Sequence, residues 1–278
     1  MYLSNYHSHS TFCDGRGSME DFVKFAVSKA VRKYGFSAHS PLPFSTFWNM
    51  ELDDMPEYIA EFHRLKAKYS AQIDLYIGLE ADYIHNHFEL QHTLYSYAEF
   101  DYIIGSIHYM DPLPKGGFWC IDGSFTDFYA GLKLLFDGEI RPAVERFFDM
   151  SESMILKGGF DIVGHFDKIS LNASKCADFE ITDSWYQNRV GELLQTIKKQ
   201  GLILEINTKS LREKGLVYPD FQFLPLIKEL EIPVTVNSDC HYPTNILDSY
   251  EPVYAQLKKT GIASCMQLEK GKWIEVEY

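Results

Sequence analysis

Thiols are scarce in this chain of 278 residues and poorly placed for chemistry. The five cysteines, Cys13, Cys120, Cys176, Cys240 and Cys265, are odd in number, widely spaced and form no Cys-x-x-Cys pair. That argues against a disulfide framework and against a thiolate zinc site. Cys13 and Cys240 adjoin polar residues but read as small packing side chains. Long apolar runs are missing too. None approaches the ~20 residues of a membrane span, and no basic segment leads into an apolar one at the N-terminus, so the cytoplasm is the expected location. Positive charge is also short. Against 39 Asp and Glu stand 26 Lys and Arg, a net charge of −13, which argues against nucleic acid as a partner. Some of those carboxylates would instead serve as metal ligands. No repeat, low-complexity segment or linker interrupts the chain, so residues 1–278 are expected to form a single domain.

What is present is an alternation of short apolar runs with helical patterns. Strands are expected at 2–7, 36–38, 75–80, 100–107, 160–164, 202–207 and 233–238, with a terminal edge strand at 272–277. A first helix starts at Ser18, a capping residue followed by acids, and is expected to end near Gly35. Further helices are expected over 53–71, 87–98, 124–136, 139–157, 182–200, 220–230 and 245–260. The proline-bearing stretches 40–48 and 110–123 read as loops. Strands alternating with helices imply βαβ units and a parallel sheet. Seven strand ends fall at His9, His39, Glu80, His108, His165, Asn207 and Asp239. Convergence of so many polar strand ends favours an α/β barrel, closed or nearly closed, with its site at the C-terminal ends of the strands. An open sheet would gather its site at one switch point instead.

His7, His9, His39, Glu80, His108, His165, Asp239 and His241 occupy those ends, and six of the ten histidines are among them. In His7-Ser8-His9 two imidazoles share one side of a strand end, because residues i and i+2 point the same way. Asp239-Cys240-His241 repeats the spacing with a carboxylate first, and Asp14 follows in the loop after His9. Each piece alone has an ordinary explanation as a half-buried polar residue; the force lies in the set. His85-Asn86-His87 has the same spacing, but no apolar run leads into it, so it reads as surface. His63 and His92, in the middle of expected helices, read as surface as well. Nitrogen and oxygen donors without thiolate suit Zn²⁺, Mn²⁺ or Fe²⁺. Nine candidate ligands exceed what one ion needs. Two or three divalent ions sharing a carboxylate are therefore expected, an arrangement suited to displacement at phosphorus.

These motifs resemble the PHP (polymerase and histidinol phosphatase) superfamily, and within it the monofunctional histidinol-phosphate phosphatases. The matching pieces are His7-Ser-His9 with Asp14-Gly, Gly35-Phe-Ser-Ala-His39-Ser, Gly78-Leu-Glu80-Ala-Asp-Tyr, Gly105-Ser-Ile-His108, Gly164-His165-Phe-Asp, Leu204-Glu-Ile-Asn207-Thr with Arg212, and Ser238-Asp239-Cys-His241. They run in family order over nearly the whole chain. The resemblance implies a distorted (β/α)7 barrel with a three-metal site. It groups His7, His9, Glu80 and Asp239 on one ion, Glu80, His108 and His165 on a second, and Asp14, His39 and His241 on a third. Many members carry histidine where Asp14 stands, and a carboxylate makes that site harder.

The activity so implied is hydrolysis of a small-molecule phosphate ester, L-histidinol phosphate, to L-histidinol and phosphate, by a hydroxide between the two ions that share Glu80. Lys168 and Arg212 follow strand ends and are expected to clamp phosphate, with Asn207 beside them. Asp239 or His241 would deliver the proton to the leaving alkoxide. Loops 40–48 and 110–123, with Phe118 and Trp119, would wall the imidazole end. Two rivals stand beside this reading: another PHP phosphoesterase, acting on a different monoester or on phosphodiesters, and a module that has lost activity. The complete ligand set counts against the second.

Overall fold

The apolar runs become strands because each can bury both faces, one against helices and one inside a closed sheet. The computed structural model describes residues 4–88 and 99–278. Its strands are β1 (Ser4–Asn5), β2 (Lys33–His39), β3 (Asp74–Asp82), β4 (Tyr102–Ser106), β5 (Tyr109–Pro112), β6 (Phe118–Cys120), β7 (Ile162–Val163), β8 (Ile203–Asn207), β9 (Val234–Asn237), β10 (Ser264–Glu269) and β11 (Lys272–Glu277). Seven of them form one parallel sheet in the order β1-β2-β3-β4-β7-β8-β9. The sheet closes just past its ends: His9 N donates to Cys240 O at 2.9 Å and Cys240 N to His7 O at 3.3 Å, and Ser8 bridges Cys240 in parallel. The result is a distorted (β/α)7 barrel.

Side chains along the barrel axis change character with height. On β3, Leu75, Ile77 and Leu79 pack outward on the helices, while Tyr76, Gly78, Glu80 and Asp82, two apart, face the opposite way. Tyr76, Tyr102, Ile104, Ile162 and Ile203 form an apolar floor at the N-terminal end. Tyr102 lies across it, its hydroxyl 2.6 Å from Tyr6 O and 2.9 Å from Phe36 O. A Cβ on Gly35 would clash with that hydroxyl, and one on Gly78 would sit 2.6 Å from Tyr102 O, so both positions need glycine. Carboxylates and imidazoles occupy the upper end. This order puts the polar cluster on a packed base that resists collapse.

Several elements differ from expectation. The first helix stops at Ser28, because Ala30 turns left-handed (φ 55°), and β2 begins at Lys33. The stretch 110–123 is not all loop: β5 and β6 pair antiparallel around Gly116-Gly117, whose positive φ values make the turn. The terminal strand β11 forms as expected but pairs with β10, which carries no strong alternation. Their hairpin plugs the barrel floor, with Leu268 N bonded to Tyr6 Oη at 2.9 Å and Tyr76 Oη to Leu268 O at 2.8 Å. The expected helix at 220–230 divides into a short turn, Phe221–Phe223, and a helix, Leu224–Glu229. Most of the helix expected at 87–98, and His92 with it, lies outside the described residues. Trp119 packs in the core on Phe128 and Phe136 rather than facing a site.

Candidate metal centre

Glu80, near the end of the central strand β3, organises the upper end of the barrel. Its two carboxylate oxygens face different partners. Oε1 lies 2.7 Å from His165 Nε2 and 3.4 Å from His108 Nε2. Oε2 lies 2.9 Å from His39 Nδ1, 3.2 Å from His7 Nε2 and 3.5 Å from His9 Nε2. Asp239 stands across from it, with Oδ1 3.2 Å from His9 Nε2 and 3.8 Å from His7 Nε2. Asp14 brings Oδ2 to 3.2 Å from His241 Nε2, with Oδ1 3.8 Å from His39 Nε2. All nine residues selected from the sequence thus meet in one cluster. Their donor atoms form four overlapping sets, each within 4.8 Å: His9, Asp14, His39 and His241; His7, His165 and Asp239; His7, His9 and Glu80; His39, Glu80 and His108.

Two carboxylates behind the imidazoles were not singled out from the sequence. Glu205 accepts from His7 Nδ1 at 2.7 Å, from the His165 backbone N at 2.9 Å, and from the amides of Asn207 and Asn237 at 2.9 and 3.0 Å. Asp82 accepts from His108 Nδ1 at 2.7 Å, while Asn49 ties it to loop 40–48. A carboxylate on the far nitrogen fixes the tautomer and turns the near nitrogen inward, the support that metal-bound histidine ordinarily has. Asn207 bridges Glu205 and Asp239 with its amide and so holds ligands in place.

The expected phosphate clamps separate. Lys168 is buried, with Nζ 3.3 Å from Asp122 Oδ2 and 5.2 Å from the centre of the Tyr218 ring. Arg212 is half exposed and pairs with Asp248 at 3.3 Å, both lining the cavity that also reaches Asp239 and His241. A third cation, Lys209, missed in the sequence, sits 3.0 Å from Asp239 Oδ1. Phe118 joins an aromatic cluster with Phe44, and Trp48 stacks on Tyr109 beside it.

Electrostatics fit a cation here. Burial opposes ionisation of Glu80, but His7, His39, His108 and the hydrogen bond from His165 outweigh it and hold the carboxyl well below its usual range. Asp239 is likewise held down against burial, chiefly by Lys209 and His7. Burial and the neighbouring imidazoles of His241 and His39 keep His9 neutral and ready to donate a lone pair. His7 and His108 go the other way: despite burial, Glu205, Glu80 and Asp239 push His7 up, and Asp82 and Glu80 push His108 to about 9. Most telling are buried donor atoms that stand close to one another yet make no hydrogen bond of acceptable geometry: His7 Nε2, His9 Nε2, His39 Nδ1, Asp14 Oδ1 and Glu80 Oε2. Buried polar atoms are nearly always satisfied, and these five converge on the same space. Asp239 adds a left-handed backbone (φ 46°), rare for a residue with a Cβ and typical of functional sites.

The chain matches the PHP domain model over residues 5–209. The chain belongs to the PHP domain family. The match ends before β9, which belongs to the same sheet and leads into Asp239 and His241. A relative named "Probable histidinol-phosphatase" from Schizosaccharomyces pombe is 30% identical over 95% of this chain and 89% of its own. A Listeria monocytogenes protein solved under the hisK name superposes with a TM-score of 0.80 at 23% identity, covering 90% of this chain and 99% of that one. Histidinol phosphate phosphatase from Lactococcus lactis, solved with zinc, L-histidinol and phosphate, gives a TM-score of 0.76 at 19% identity, covering 98% of each chain. Both share the barrel fold of this chain.

The second His-x-His pair lies outside all four donor sets. His87 is exposed against Phe118, and His85 is half-buried, with Nδ1 3.0 Å from Tyr83 Oη and 3.2 Å from Ser153 Oγ. Replacing either with Ala is expected to change turnover by about twofold or less, with His85→Ala costing about 1 kcal/mol of stability for its lost hydrogen bonds. Steady-state kinetics and thermal melts check both.

Proposed function

We propose that this chain is a metal-dependent phosphomonoesterase that hydrolyses L-histidinol phosphate to L-histidinol and phosphate, a step of histidine biosynthesis. The observation that carries it is Glu80, a fully buried carboxylate whose two oxygens face two separate groups of imidazoles. Such a carboxylate is made to be shared between ions. Shared-ion sites suit in-line displacement at phosphorus, and the name of the Schizosaccharomyces pombe relative supplies the ester.

The residues fit two or three divalent ions, Zn²⁺, Mn²⁺ or Fe²⁺. His7, His9, Glu80 and Asp239 would hold one, Glu80, His108 and His165 another, and Asp14, His39 and His241 a third. When bound, such ions would supply Lewis acidity to the phosphoryl oxygens and to the attacking water. Glu205 and Asp82 keep the imidazoles of His7 and His108 turned inward, so their donor atoms need no reorganisation. Asn207 keeps the Asp239 carboxylate from rotating. Asp239 and His241 border an open cavity of about 160 Å³; as metal ligands neither Asp239, which is held ionised, nor His241 has a proton to spare, so the leaving alkoxide takes its proton from solvent at this opening. Lys168 contributes positive potential from beneath Asp122. The working unit is the whole chain, 1–278, because β9 leads into two of the ligands. Its partner is a small molecule rather than nucleic acid, in keeping with the net charge of −13, and its proposed location is the cytoplasm. No described helix is long and apolar enough to cross a membrane.

The test, with Zn²⁺ or Mn²⁺ added, is phosphate release from L-histidinol phosphate and unrelated monoesters, and chromatographic detection of the mononucleotide released from a dinucleotide. L-Histidinol phosphate is expected to give the highest kcat/KM. Faster cleavage of the dinucleotide would move the assignment to a phosphodiesterase, and no release from any ester would end it.

A further inference from the structure

Three cations follow the ends of β7 and β8: Lys168, Lys209 and Arg212. Each has a carboxylate partner, but the partners differ in kind. Lys168 is spoken for by Asp122 and lies enclosed on the Tyr218 ring. Arg212 is turned to Asp248 and Glu213 at 3.3 and 3.6 Å. Neither carboxylate pair belongs to the metal cluster. Lys209 instead shares its partner with the cluster: Nζ lies 3.0 Å from Asp239 Oδ1, the same oxygen that faces His9 and His7, and 3.5 Å from His241 Nε2.

From this placement we propose that Lys209 grips the phosphoryl group of the ester, and the phosphate product after it. The inference rests on the phosphatase reading above and names a binding residue for it. With a divalent ion held by Asp239 and the imidazoles around it, the charge of Asp239 Oδ1 would be taken up and the neighbouring ammonium would lose its partner. Lys209 then needs another anion, and a phosphoryl group brought to those ligands is within reach of its stem. The stem is free to supply it: the side chain is 34% exposed and lines the 160 Å³ cavity that opens onto Asp239 and His241. The backbone beneath is fixed, since Lys209 N donates to Asn207 Oδ1 at 3.1 Å and the Asn207 amide reaches Glu205 and Asp239. Lys209 is therefore a solvent-accessible charge on an anchored base, placed to meet a phosphate at the cavity. As a point charge with three rotatable donors, an ammonium can do this without the planar fit a guanidinium needs.

The experiment measures inorganic phosphate binding to the metal-loaded protein by calorimetry, with metal content determined on the same samples. Lys209→Met keeps an unbranched side chain one atom shorter and removes the charge. Its phosphate Kd is expected to rise about 10- to 100-fold, the loss of one charge-assisted hydrogen bond, with metal content unchanged. KM for L-histidinol phosphate should rise with it, and Lys209→Arg should recover much of the affinity. A Kd within about twofold of the parent would overturn the proposal. So would a loss of bound metal in Lys209→Met, which would make the lysine a support for Asp239 instead. A parent protein that takes up metal but neither binds phosphate nor cleaves the ester would overturn the phosphatase reading and this inference together.

Discussion

Glu80→Gln is expected to lower turnover on the order of 10³-fold or more, while the protein still folds, with a Tm lowered to the extent that bound metal is lost. The substitution hardly changes volume, and the side chain is 1% exposed, so no water can take over the lost contact. A carboxylate offers lone pairs from both oxygens; an amide offers them from one and presents N–H from the other. In one orientation the amide NH₂ faces His165 and His108; in the other it faces His7, His9 and His39. Either way one of the two groups of imidazoles loses its shared acceptor, and two ions can no longer be tied together through this side chain. Kinetics and elemental analysis of the same preparation check this. Metal content should fall along with turnover. A variant that keeps more than about a tenth of parental turnover would sink the role given to Glu80.

How much of this was legible beforehand follows a physical rule. Residues at strand ends announce themselves, because a histidine or carboxylate closing an apolar run has no reason to be there for packing. All nine candidate ligands have that signature or lie just beyond it, and the structure gathers them within one cluster. Glu205 and Asp82 left a fainter signal. Each lies on a buried strand two residues from another inward polar position, Asn207 and Glu80, so the period-2 rule that selected the ligands points to them as well. A carboxylate inside a strand otherwise apolar on both faces is itself a flag, since such a group is seldom buried without a partner. Asp122 had no local signal at all. Its meaning comes from Lys168, on a different loop, and only tertiary structure joins them. The same holds for Arg212, whose pairing with Asp248 no local signal announced. The β5–β6 hairpin was hidden by prolines at 112 and 114, although Gly116-Gly117 marked its turn. Overall topology was readable from alternation alone; what was lost was whatever depended on contacts between distant loops.

Complete removal of metal by a chelator is expected to abolish turnover, and readdition of Zn²⁺ or Mn²⁺ to restore it. The protein should survive the treatment folded but less stable. In the ion-free chain His7 and His108 are pushed toward the charged form by Glu205, Glu80, Asp239 and Asp82, so protons stand in for part of the missing positive charge. That compensation is incomplete, because five buried donor atoms in the cluster make no hydrogen bond of acceptable geometry. Ions that bind the folded chain and not the unfolded one stabilise it by about 4 kcal/mol at a thousandfold excess over Kd, which corresponds to roughly 10 °C in Tm for a domain of this size. Metal uptake must also expel the protons on His7 and His108, since an imidazole ligates through a free lone pair. Titrating the chelated protein with Zn²⁺ in weak buffer near pH 7 should therefore release protons as Tm climbs. Protein shown by elemental analysis to be free of metal, yet turning over at the parental rate, would refute the metal-dependent mechanism outright.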